Sequence, residues 1–385
     1  MSVILNAKII KIIFCSILYF TMIIGISSIF SLKTLYGQDI DTNSFIMEDS
    51  DNVQPKQKNN LYSDSNHDYE EFNFAVSSDW GCSEDTEKTA ENIQEKDPEL
   101  VISAGDASYD ESSECWLEII QPFKSKMKIA MGDHEYSDTS GGETGIINQY
   151  LKPLNLAKTY YSFDMNNAHF VFIDGYIDYE PGSVQYQFIE NDLKTASTNL
   201  KIDWRFVVVS PPIYTSPSDH PGDSTIRDIY HPLFDKYGVD LVFSGDNHNY
   251  QRTFPLKYNS EGEGEGDNSE YPIIADRNQD NYYYYINNNI NNNINNNNNG
   301  VIYLITGTAG RSLYDIEEQA PFVANQDDQH FGFLNIDISG KTLKGNFYAN
   351  ESELSRYHYV NYPNNILDHF TISKIDKLNY NNNKF

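Results

Sequence analysis

VDLVFSGDNHNYQR, residues 239–252, decides how the chain is read: a short apolar run stops at a glycine and hands over at once to Asp246 and His248. A run of this length bounded by Gly and Asp is a buried strand entering a tight loop. Two other stretches follow the same grammar. FNFAV leads into SSDWG and ends on Asp79, and ELVISA leads into GDASY, with Asp106 first and Tyr109 three residues on. In open α/β sheets ligands sit at the carboxyl ends of such strands, so loops far apart in sequence converge on one site. The three loops together predict a metal-dependent phosphoesterase.

The rest of the pattern alternates helix and strand. EDTEKTAENIQEK (84–96), SVQYQFIENDLKTA (183–196) and DSTIRDIYHPLFDKYG (223–238) read as helices. The second carries Tyr186, Ile189 and Leu193 on one face, and the third is closed by Gly238. KMKIAM (126–131) and WRFVVV (204–209) read as strands, and YYSFDM (160–165) pairs with HFVFID (169–174) in a hairpin turning near Asn166 and Asn167. Strand patterning returns in VIYLITGTAG (301–310), FGFLNIDI (331–338), LKGNFYAN (343–350) and DHFTI (368–372). Alternation of this kind means a layered α/β domain. Residues 71–374 are expected to form it, as a single catalytic domain. The span from about 258 to 300, with EGEGEGD and an Asn-rich run, is expected to be a surface insertion, and 375–385 a polar tail.

With 385 residues and 39% hydrophobic content, the chain can bury one large core or two modest ones. Its 56 acidic against 27 basic residues give a formal charge of −29, which disfavours nucleic acid and anionic membrane surfaces as partners. A phosphate site on such a protein needs local positive charge, which metal ions supply. Lys8 and Lys11 precede an apolar stretch, 12–30, so residues 1–38 read as a secretory signal peptide or a retained membrane anchor, with both outcomes open. Residues 39–70 are acidic and lack apolar periodicity, as a flexible linker does. The expected location is extracellular or at the cell surface. Cys82 and Cys115 are the two cysteines outside the export segment, and an exported chain can join them in a disulfide; two separate thiols are the alternative.

Asp79, Asp106, Tyr109 and His248 combine carboxylate, phenol and imidazole, a set suited to a hard, strongly Lewis-acidic ion such as Fe(III). A second ion sharing Asp106 would polarise a phosphoryl group and generate a hydroxide nucleophile. GDHEY (132–136) adds Asp133 and His134, the latter able to bind phosphate oxygen or protonate a leaving alkoxide. The order DxG, GDxxY, GDHEY, a strand ending at Ser210, then GDNHNYQR resembles the purple acid phosphatases within the calcineurin-like metallophosphoesterases, from Phe72 to about Ile372. TYYSFDMNNAHFVFID, QYQFIENDL and GVIYLITGTAG resemble the intervening elements of that family. The resemblance implies a sandwich of two mixed β-sheets flanked by helices, with a dimetal site at the strand ends.

Carried over residue by residue, the first metal position is complete in Asp79, Asp106, Tyr109 and His248. The second keeps only the bridging Asp106. The family asparagine is Asp133, the strand-end histidine is Ser210, and the first histidine of GHxH is Asp246. An oxygen-only site favours manganese, magnesium or calcium over zinc, or stands empty. His220 falls where the family places a histidine on the phosphate or the leaving group; a loop histidine capping Asp223 is the alternative. Arg252 is a candidate substrate-binding guanidinium or a partner holding its loop. Trp80 and Trp116 either wall the cleft or pack in the core, Tyr282 to Tyr285 suggest a surface contact, and Asp174 and His330 are structural. The reading is an exported, metal-dependent phosphatase that hydrolyses small phosphomonoesters by attack of a metal-held hydroxide at a dinuclear centre. The alternatives are a phosphodiesterase or nucleotidase, and a cell-surface binding protein weakened to one metal.

Overall fold

The structure, a computed structural model, describes residues 71–110, 112–136, 146–259, 272–286, 299–350 and 365–376. Residues 1–70, expected to hold the export segment and the linker, the Asn-rich run through 298 and residues 377–385 lie outside the described residues. Among the described residues no helix is long and apolar enough to cross a membrane.

Among the described residues the strands, in chain order, are β1 Phe72–Ser77, β2 Leu100–Ser103, β3 Met127–Ile129, β4 Tyr161–Met165, β5 Ala168–Ile173, β6 Trp204–Val209, β7 Leu241–Ser244, β8 Tyr250–Thr253, β9 Leu256–Lys257, β10 Ile273–Ile274, β11 Asn281–Ile286, β12 Ile302–Thr306, β13 Val323–Asp327, β14 Gly332–Ser339, β15 Thr342–Ala349 and β16 Ile366–Asp376. They build two seven-stranded mixed sheets, β11-β16-β15-β14-β1-β2-β3 and β13-β8-β12-β7-β6-β5-β4, beside the small ribbon β9-β10. β1, β2 and β3 run parallel in the first sheet, and β5, β6, β7 and β12 run parallel in the second. The loops leaving their carboxyl ends carry every site residue taken up below.

Strand alternation sorts side chains between layers. Phe74 and Val76 enter the core between the sheets, while Ala75 turns to the outer face and packs with the helices there. In β5, Phe170 and Phe172 face the inter-sheet core and Val171 and Ile173 the opposite layer. Phe74 lies 5.2, 5.3 and 5.9 Å from the rings of Phe170, Phe206 and Phe243, which lock the two sheets together. Strands buried on both faces explain the nearly continuous apolar runs of the sequence.

The helices begin and end where their caps dictate. In α1 (Glu84–Lys96) the Ser83 hydroxyl accepts from the Thr86 N–H, and Glu84, Asp85 and Glu87 fill the first turn, where the helix dipole favours negative charge. Two short helices, α2 (Glu114–Ile119) and α3 (Asp133–Tyr136), and then α4 (Ile147–Leu151) follow. In α5 (Val184–Thr198) the cap is Ser183, and Ile189 and Leu193 are buried with Tyr186 packed beside them. In α6 (Ser224–Tyr237) Asp223 caps the start and Gly238, at φ 69°, closes the end. Trp80 and Trp116 are fully buried and meet edge to face with ring centres 6.4 Å apart, so they are core rather than cleft wall. A disulfide joins Cys82 to Cys115, tying the loop after β1 to α2.

Two expectations change. β11 lies inside the span read as a surface insertion, pairs in parallel with β16, and buries Tyr282 and Tyr284 in the inter-sheet core while Tyr283 stays exposed. A run of four tyrosines hides the period of two that would announce a strand. The last strand also runs past residue 374 to Asp376, so the polar tail begins later than expected.

His169 of β5 sits between Asp164, 2.6 Å from Nδ1, and Asp192, 2.8 Å from Nε2. Burial pushes its pKa down, but the two carboxylates outweigh burial and hold it above the ordinary value. A histidine with a raised folded pKa contributes stability in full below its unfolded pKa and loses it as pH rises through the folded one. The margin in melting temperature of the wild type over His169→Gln should therefore be largest near about pH 5.5 and shrink towards about pH 8.5. A pH-independent margin would refute this.

Candidate metal centre

Asp79 follows β1, Tyr109 follows β2 and His248 follows β7, and the structure brings the three together. The Tyr109 hydroxyl donates to Asp79 Oδ1 at 2.8 Å and lies 2.8 Å from His248 Nε2, which is itself 3.4 Å from Asp79 Oδ1. His248 Nδ1 is 2.7 Å from the Ser312 carbonyl, and Tyr314 stacks flat on the ring at 3.8 Å. A ring whose Nδ1–H is committed to a carbonyl turns its Nε2 lone pair to the site, as metal-binding histidines do. Burial pushes the Asp79 carboxyl up, yet bonds from His248 and Tyr109 hold it below the usual carboxylate value, and Asp79 in turn raises His248. Burial, then Asp79 and Asp106, suppress ionisation of Tyr109.

The remodelled half is made of carboxylates. One oxygen each of Asp106, Asp133 and Asp246 lie within 4.8 Å of one another. Asp106 is buried, Asp133 half-exposed and Asp246 partly covered. Burial first, then the charges of Asp79, Glu135, Asp133 and Asp246, drive the Asp106 pKa well up. Asp246 is raised to about 6, by burial and then by Asp79 and Asp133. The Ser210 hydroxyl, at the end of β6, is buried, with the Tyr176 hydroxyl as its neighbour.

Backbone geometry fixes these side chains. Asp79, Asp106, Tyr109 and Asp246 all take left-handed backbone, with φ of 59°, 53°, 61° and 68°. Buried Glu135 accepts three main-chain N–H bonds, from Ala107 at 2.9 Å, Asp106 at 3.0 Å and Gly132 at 2.7 Å, and so clamps the loop after β3 onto the loop after β2. Gly132 has no alternative, because a Cβ there would collide with the Asp106 carboxylate. The Asp246 N–H donates to Asp79 Oδ2 at 3.1 Å, which joins the third loop to the first.

Around this acidic floor stand two imidazoles and one guanidinium. His134 is half-exposed, with its ring 4.0 Å from that of Tyr109, and burial lowers its pKa. His220 does not cap Asp223; its N–H and C=O are both bonded to the Asn247 side chain, at 3.0 and 2.7 Å, which seats it beside Asp246. Arg252 must be corrected. It is buried on β8, its guanidinium held by both oxygens of Asp368 at 2.6 and 2.8 Å and by Tyr282, so it braces the inter-sheet core and does not reach substrate. The guanidinium at the site belongs to Arg311, 4.6 Å over the Tyr109 ring. Arg311 and Tyr314 were missed as site residues, and Glu135, which the GDHEY loop brings to the site, proves to be its clamp. Arg311 and Tyr314 follow the strand VIYLIT and a glycine, the same grammar that announced the other loops.

The donor set fits a cation. The like charges of Asp106, Asp133 and Asp246 repel one another unless a positive ion joins them, and Ser210 adds a hydroxyl oxygen beside them. Cys82 and Cys115 are joined in the disulfide, so the residues gathered here offer oxygen and imidazole donors.

Comparison with known proteins agrees with this geometry. The family model described as calcineurin-like phosphoesterase matches residues 72–250. The chain is 32% identical over 201 residues to probable purple acid phosphatase 20 of Arabidopsis thaliana, covering 46% of each chain. It is 28% identical over 209 residues to probable inactive purple acid phosphatase 24 of the same plant, covering 52% of this chain and 30% of the relative. The chain thus spans less than half the length of these curated relatives. Among solved structures, the purple acid phosphatase PPD1 from yellow lupin (Lupinus luteus) seeds superposes with a TM-score of 0.62 at 21% identity, covering 79% of this chain and 54% of that one; it shares the fold.

Proposed function

We propose, from the premise that residues 72–250 are a calcineurin-like phosphoesterase domain with purple acid phosphatase relatives, that this chain is an exported, metal-dependent phosphatase acting on phosphomonoesters at a dinuclear centre. The observation that carries the reading is the convergence of Asp79, Asp106, Tyr109, Asp133, Asp246 and His248 from the carboxyl ends of four parallel strands. Asp79, Asp106, Tyr109 and His248 would hold the first ion. A phenol together with two carboxylates and an imidazole is a donor set that suits a hard, strongly Lewis-acidic ion, which favours Fe(III) there. Asp106, Asp133 and Asp246, with Ser210, would hold a hard second ion such as manganese, magnesium or calcium. Two bound ions would supply positive charge for the phosphoryl oxygens and activation of the attacking water.

The protein's own groups do the rest. His134 faces the site beside Tyr109 and protonates the leaving alkoxide, with Asp133 Oδ1 4.0 Å from its Nε2 as the nearby carboxylate. His220, fixed by Asn247, stands on the opposite rim next to Asp246. The export segment at residues 1–38 would place the enzyme outside the cell or anchor it to the surface.

The test uses the full chain supplied with iron, manganese, magnesium, calcium and zinc singly and in pairs. Hydrolysis of an aryl phosphate monoester, faster than of the matching diester, is expected with iron plus a hard divalent ion. No hydrolysis above an Asp79→Asn control under any metal would sink the reading, and a faster diester would move it to a phosphodiesterase. A second reading, a surface binding protein with one ion, draws on the changes at Asp133, Ser210 and Asp246; one ion per chain without turnover would favour it.

A further inference from the structure

Arg311 stands on a loop that is nailed to the metal loops on both sides. The Ala309 N–H donates to the Ser78 carbonyl, the Arg311 N–H to the Asp79 carbonyl and the Tyr314 N–H to the His248 carbonyl, each at 2.9 Å. Gly310 makes this approach possible: at φ 151° it lies against Thr86, where a Cβ would collide, and its carbonyl accepts from Ser83 Oγ at 2.9 Å. The position of Arg311 relative to the site is therefore set by main chain rather than by a mobile tip.

The side chain itself is exposed and is not bound by a carboxylate among the described residues. That is unusual chemistry for this place. Asp79, Asp106, Asp133, Glu135 and Asp246 all lie in the same site, and an arginine fork ordinarily pairs with such groups. Here the guanidinium carbon lies 4.6 Å from the centre of the Tyr109 ring, a cation–π contact rather than an ion pair. Among the described residues it is the one permanently charged cation over an otherwise acidic floor, because Arg252 is committed to Asp368.

We propose that Arg311 grips the substrate's phosphoryl oxygens from the Tyr109 side and sets a preference for dianionic phosphomonoesters over monoanionic diesters. The proposal rests on the phosphatase reading above. A monoester presents two charges and three unesterified oxygens to the fork, whereas a diester presents one charge and two such oxygens. A planar fork also favours bidentate oxyanion binding over what a lysine offers. Arg311 is thus the specificity group of the rim, with the two histidines as proton donors beside it.

The experiment measures binding of inorganic phosphate by titration calorimetry to the metal-loaded full chain, as wild type, Arg311→Gln and Arg311→Lys, with metal content checked for each. KM and kcat for an aryl phosphate and for the matching bis-aryl diester are measured on the same samples. Arg311→Gln should weaken phosphate binding and raise the monoester KM by about ten- to a hundredfold, the worth of a charged hydrogen-bonding partner. The diester KM should move far less, kcat should stay within about threefold, and Arg311→Lys should recover part of the loss. Unchanged phosphate affinity in Arg311→Gln, or equal losses on both esters, would overturn the assignment. A wild type silent on both esters would refute the phosphatase reading, while the phosphate titration would still decide the role of Arg311.

Discussion

Asp106→Asn should abolish turnover while leaving the metal-free fold at least as stable as before. Asp106 is the one residue placed in both half-sites, so its loss withdraws a charged ligand from each ion. The rate should fall by more than about a hundredfold, which is the upper loss expected when only an outer partner of a ligand is removed. Stability should move the other way. The Asp106 carboxyl is buried among Asp79, Glu135, Asp133 and Asp246, and its pKa is driven well up because the charged form is disfavoured there. An amide removes that repulsion and keeps the Oδ1 that accepts the His134 N–H at 3.2 Å. The expected result is a melting temperature equal to or above wild type without metal, and loss of the rise that metal gives the wild type. A large drop in the metal-free melting temperature would show that Asp106 holds the fold.

The double variant Asp133→Asn with Asp246→His should turn the second position from a hard-ion site towards zinc. Both exchanges remove a negative charge, and one introduces an imidazole, which suits zinc far better than it suits calcium or magnesium. Selectivity for zinc over calcium should rise by about two orders of magnitude, about one for each ligand exchanged. Position 246 tolerates the change, since its φ of 68° lies in a region that histidine enters more readily than most side chains. Competition titration of the two ions against the wild type and the variant reads the outcome. Unmoved selectivity would mean that Asp133 and Asp246 do not ligate.

The parts that were legible in sequence are those whose cause is local. An apolar run stopped by Gly or Asp marks a strand end whatever it packs against, so the loops of Asp79, Asp106 and Asp246 could be read directly. Asp223 and Gly238 likewise bracket α6 by capping alone. What escaped depends on partners far along the chain. Arg252 follows His248 closely and reads either as a substrate group or as a partner holding its loop; the outcome is set by Asp368, 116 residues later, on a strand of the other sheet. Arg311 reaches the site only because β12 lies beside β7, a neighbour relation that no local pattern states. β11 was hidden by its own uniformity.

The left-handed backbone at Asp79, Asp106, Tyr109 and Asp246 sets selection for durability against selection for chemistry. Each of these residues holds a conformation that costs an L-amino acid roughly 1 kcal/mol or more and costs glycine little. Under pressure for heat resistance alone, the cheapest route for this fold is to drift towards glycine at the very positions that hold the ions. A lineage released from the need for turnover would therefore lose its ligands early and keep its architecture, becoming sturdier as it falls silent.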